Sequence, residues 1–87
     1  MPDRQEIRDL VVQVLGLYSS DDEALQSEET TLSELGFWEN GYSELTGDLN
    51  ERMLASYPGC GGVTLSAVRD CGSIGDLIDL ALSGVSK

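Results

Sequence analysis

Leu32-Ser33-Glu34-Leu35-Gly36-Phe37-Trp38-Glu39-Asn40 is the stretch on which the fold of this chain turns. Thr31-x-x-Glu34 at its start has the form of a capping box for a single turn, and Gly36 can take the left-handed conformation that ends such a turn. Asn40 is a good N-cap, so a helix is predicted to start near it and to run until Pro58-Gly59 stops it. Tyr42, Leu45, Leu49 and Met53 recur every three or four residues and line one face of that helix. At about 100° per residue, Glu44, Asp48 and Glu51 gather on the opposite, solvent-facing side. Gly41 and Gly47 weaken the helix by up to ~1 kcal/mol each relative to alanine.

Upstream, Ile7, Leu10, Val11, Val14, Leu15 and Tyr18 follow the spacing of an amphipathic helix, with Asp3 and Glu6 as its capping pair. Ser19 to Thr30 is acidic and carries only Ala24 and Leu25 as apolar residues, so it reads as a long solvated loop pinned at Leu25. A loop of that length in so small a domain is either functional or diagnostic of a particular fold. Downstream, Pro58-Gly59-Cys60-Gly61-Gly62 reads as a flexible, exposed loop. Val63 to Arg69 fits a strand or a short helix equally well. Ser73-x-x-Asp76 caps a final helix with Ile74, Leu77, Ile78, Ala81 and Leu82 on one stripe, and Gly84 is expected to end it. Residues 1–87 are thus expected to form one all-α domain, a small bundle of three main helices and one short one after a long first loop.

A chain of 87 residues buries about two thirds of its unfolded surface and supports one small core. Sixteen acidic residues against five Lys and Arg give a net charge of -11. Such a surface repels nucleic-acid phosphates and anionic lipid headgroups and attracts a partner with a basic patch, though solubility alone would also account for it. No apolar run approaches the ~18 residues of a membrane-spanning helix, and Met1-Pro2-Asp3-Arg4 lacks the apolar core of a signal peptide. A cytoplasmic monomer that binds neither nucleic acid nor membrane is the expectation.

Histidine is absent, and Cys60 and Cys71 lie in no metal-binding pattern, so neither a metal site nor catalysis is expected. No nucleophile has an evident general base. Two free thiols are expected, Cys71 filling core space and Cys60 exposed without a neighbouring cation to activate it. The acidic loop lacks the alternate spacing and central glycine of a calcium-binding EF-hand.

The order of these parts is similar to that of the acyl carrier protein family. The resemblance runs from Ile7 to Leu82 and rests on Leu32-x-x-Leu35-Gly36 before the second main helix, Glu44-Leu45 and Leu49 within it, and Cys71-Gly72-Ser73-Ile74-Gly75-Asp76-Leu77-Ile78-Asp79 at the last one. In that family a serine within Asp-Ser-Leu, at the start of the second helix, holds the phosphopantetheine arm. Here those positions read Trp38-Glu39-Asn40, and a carboxylate cannot form the serine phosphodiester. The link from Leu54 to Gly62 is also longer than the family's. By position, Glu39, Glu44, Asp48 and Glu51 correspond to the surface that the family's partner enzymes meet with their own Lys and Arg residues. Trp38 stands in place of the usual aspartate, either as a lid on the core or as an anchor for a partner.

The resemblance implies a carrier-like module that docks on the basic surface of a fatty-acid, polyketide or peptide-synthetase type enzyme and holds no cofactor at the usual position. Two alternatives stay open. One is a working carrier with 4'-phosphopantetheine displaced to Ser43, the only serine inside the second main helix before its end. The other is a structural or regulatory helical protein unrelated to carrier chemistry.

Overall fold

Four of the helices begin at a short polar side chain that caps them. In the structure, a computed structural model that describes residues 3–36 and 39–85 (the side chains of Glu39 and Asn40 excepted), Asp3 caps α1 (Arg4–Leu15) by accepting from the Glu6 amide at 2.9 Å. Asp21 does the same for α2 (Asp22–Leu25), accepting from the Ala24 amide at 3.1 Å. The long first loop therefore contains one helical turn, and Leu25, buried as predicted, ends it. After Gly36, which takes a φ of 90°, comes α3 (Glu39–Ser56). It starts two residues earlier than an Asn40 cap would place it, so Asn40 is its second residue; an acidic first residue suits the positive end of a helix.

The ambiguous segment after the glycine loop is α4 (Leu65–Asp70). Thr64 decides it by accepting from the Ala67 amide at 3.2 Å, which lets Val68 reach the core. α5 (Ile74–Val85) has a reciprocal cap: Ser73 Oγ accepts from the Asp76 amide at 3.3 Å, and Asp76 accepts from the Gly72 amide at 3.2 Å. Gly84 does not end α5, as expected, but lies inside its last turn. A Cβ on Gly84 would stand 2.5 Å from the Gly62 carbonyl oxygen, so the glycine is there to let the link and the helix touch.

The described residues thus form five helices and no strand, an all-α bundle. Its core joins Ile7, Val11 and Val14 of α1 to Leu45, Leu49 and Met53 of α3 and to Leu77 and Ile78 of α5, each at most 1% exposed. Among the described residues no helix is long and apolar enough to cross a membrane.

α1 is the central element, with different chemistry on its two flanks. Towards α3 run three polar contacts: Tyr57 Oη donates to Glu6 at 3.1 Å, Arg52 donates to Gln13 at 3.1 Å, and Tyr18 Oη donates to Asp48. As the α1 residue number rises, the α3 number falls, so the two helices are antiparallel. Arg4 and Arg8 lie at least about 140° round α1 from Gln13 at 100° per residue. They tie down the first loop: Arg4 donates to Glu28 at 2.9 Å and to Asp79 of α5 at 3.1 Å, and Arg8 donates to the Gln26 carbonyl at 3.1 Å. The same loop supplies the Thr30 and Glu28 carbonyls to the amides of Ile74 and Gly75, both at 2.9 Å, satisfying donors that the start of α5 leaves open.

Candidate functional site

The 18 residues of α3 set out the candidate site as positions on a cylinder. At 100° per residue, Glu44, Asp48 and Glu51 fall within an arc of about 60° and rise over about 10 Å. Glu44 and Glu51 are exposed, as predicted. Asp48 is not purely solvent-facing: it is half-buried on the side towards α1, where the Tyr18 hydroxyl donates to it. Ser43 is also exposed but sits about 140° round the helix from Asp48 and only about 20° from Asn50. The structure therefore brings the three acids together and leaves Ser43 on the other flank of α3. Trp38 and the side chain of Glu39 lie outside the described residues.

Among the described residues, no ion pair neutralises the acidic stripe. Glu44 and Glu51 make none of the ion pairs formed by Arg4 and Arg8, whose partners are Glu28 and Asp79. Neither α1 nor α3 has a basic residue in its last turn, so the partial negative charge at the C-terminus of α1 adds to the carboxylates beside it. Tyr18 registers this field. Burial, then its hydrogen bond to Asp48, and then the charges of Asp48 and Glu44 push its phenol up to about 12.

Beside the stripe is a groove of about 260 Å³ lined by Val14, Leu17, Asp48, Glu51, Arg52 and Ala55. Leu17, just past the end of α1, is 65% exposed, the most exposed of the large apolar side chains described. Arg52 is the one cation in the lining, and its guanidinium is held by Gln13.

The opposite flank of α3 is occupied by the glycine link, which departs from expectation. Asn50 pairs with Val63 as one strand pairs with another: its Nδ2 donates to the Val63 carbonyl at 2.8 Å, and its Oδ1 accepts from the Val63 amide at 2.7 Å. The Gly61 amide donates to the Gly84 carbonyl at 3.0 Å. Cys60 is accordingly half-buried against the core, not exposed, because both ends of its loop are fastened. Cys71 also packs against the core, as predicted; burial, then Asp76 and Asp70, push its thiol up to about 11. Asn50 was not a candidate in the sequence, since nothing local marks a mid-helix asparagine as the clamp for a segment 13 residues away. Among the described residues, no group of His, Cys, Asp or Glu side chains is placed to hold a metal ion.

No protein-family model, curated protein or solved structure matches the chain.

Proposed function

We propose that this chain is an acyl-carrier-protein-like interaction module. It docks through the acidic face of α3 on the basic surface of a biosynthetic enzyme of the fatty-acid, polyketide or peptide-synthetase type, without phosphopantetheine at the usual position. The observation that carries the reading is the exposed pair Glu44 and Glu51, which make no ion pair among the described residues while the arginines of α1 pair elsewhere. Like charges held close on a folded surface oppose compaction, and a partner's Lys and Arg residues relieve that repulsion on binding. Glu39 at the first position of α3, where the family has its serine, agrees with a scaffold that does not carry the arm.

The test is titration of carrier-dependent synthases and transferases against the wild-type chain and a Glu44→Lys/Glu51→Lys variant at low and raised salt. The reading expects binding that weakens with salt and is lost in the variant. Equal affinities for both proteins remove it. A second reading rests on the exposure of Ser43, whose hydroxyl is accessible to a phosphopantetheinyl transferase. Intact mass after incubation with coenzyme A and such a transferase separates the two: the preferred reading expects no change, and a gain lost in Ser43→Ala selects the displaced carrier.

A further inference from the structure

We propose that the groove between α1 and α3 receives a basic amphipathic helix of the partner protein, with one aliphatic side chain seated on Leu17 and Ala55 and with Lys or Arg residues along Glu44 and Glu51. The inference rests on the acidic-face reading and adds to it where the partner lies and what shape it has. Two helices packed antiparallel leave a furrow along their seam, the geometry that accepts a third helix. Leu17 and Ala55 offer exposed apolar surface among the charged residues of this furrow, and Leu17, 65% exposed, is the most exposed large apolar side chain described.

Charge identifies the occupant. Glu51 and Asp48 form one wall, Glu44 is close enough to act on the Tyr18 phenol at the end of α1, and that end has no basic residue of its own. The only cation in the wall already donates to Gln13. An acidic or neutral helix would bring apolar surface to Leu17 but leave this field uncompensated. A basic loop without an apolar stripe would compensate the field but leave Leu17 in water. A helix with Leu at every third or fourth position and Lys on its flanks satisfies both, because Glu44, Asp48 and Glu51 share that same spacing.

The test uses the full chain, a synthetic helical peptide with that Leu stripe and Lys flanks, and a second peptide of the same composition scrambled to erase the stripe. Amide NMR shifts report where each binds, and titrations report how tightly. The striped peptide is expected to bind about tenfold more tightly or better, the factor that burying one aliphatic side chain supplies. Its shifts should include Val14, Leu17 and Ala55. Leu17→Ser should keep the wild-type amide spectrum elsewhere and reduce the striped peptide to the level of the scrambled one. If both peptides bind equally and shift only α3, the groove proposal is overturned and the acidic docking face stands. If neither peptide shifts α3 at low salt, both fall.

Discussion

The two flanks of α1 are built from similar numbers of charged groups but use them differently. On the α5 flank every carboxylate near an arginine is engaged: Arg4 bridges Glu28 and Asp79, and Arg8 reaches Gln26 and Glu28. On the α3 flank Asp48 has a tyrosine hydroxyl, and Glu44 and Glu51 face water beside an exposed leucine. The first flank is organised for folding, because it fastens a 12-residue stretch of loop to the start of a helix. The second carries repulsion and apolar exposure that folding alone would be better without.

Breaking the folding flank has the largest expected effect. Ile78→Ala opens a cavity where the side chain is fully buried, and should lower unfolding free energy by about 2–5 kcal/mol in urea titrations. Leu17→Ser, on the other flank, should change it by no more than about 0.5 kcal/mol. Comparable losses in the two variants would mean that Leu17 belongs to the core and that the contrast between flanks is false. Gly84→Ala comes next. Its Cβ would press on the Gly62 carbonyl, a backbone atom with no rotamer to yield, and should cost about 1–3 kcal/mol.

Charge substitutions sharpen the contrast through their sign. Arg4→Ala should lower the melting temperature, since it releases Glu28 and Asp79 together. Glu44→Lys/Glu51→Lys should raise it or leave it unchanged, because it removes repulsion and breaks no ion pair among the described residues. A fall in the double variant would show that these acids serve stability. The acid limb of the stability curve carries the same information. Arg4 holds the Glu28 carboxyl below its ordinary value of 4.5, so its contribution is present above that value and is lost as pH falls through the lower folded one. Arg4→Ala should flatten that limb.

What could be read from the sequence divides along physical lines. α1, α3 and α5 were legible because each carries an apolar stripe at helical spacing, and Leu25 because it is an isolated apolar residue in an acidic run. The turn at Gly36 was legible because few residues other than glycine adopt its φ. Interactions that join distant segments left no local trace. The Asn50 clamp, the Gly84 contact with Gly62 and the half-burial of Asp48 are properties of packing, so the glycine link was read as exposed and α5 as ending one residue early. At the candidate site, periodicity alone identified the acidic stripe, but the groove beside it depends on where α1 stops relative to α3. Trp38 and the side chain of Glu39, which carried most of the functional weight in the sequence, lie outside the described residues.

The smallest effect is also the most local test of the α3 flank. Tyr18 joins the flank to the end of α1, and its folded phenol is pushed up to about 12 by burial, Asp48 and Glu44. A group whose folded value is raised contributes stability that is complete below its ordinary value of 10.0 and is lost as pH rises through the folded one. Tyrosinate absorbance should therefore include a late phase from Tyr18, and Tyr18→Phe should remove it. Tyr57 is raised too, by burial and then Glu6, so the late phase is assigned to Tyr18 only if Glu44→Lys moves it downward and leaves the Tyr57 phase in place. If Glu44→Lys leaves every phase unmoved, the field of the acidic stripe does not reach α1. A basic helix lying in the groove would then meet only Asp48 and Glu51 in its wall, with no help from Glu44.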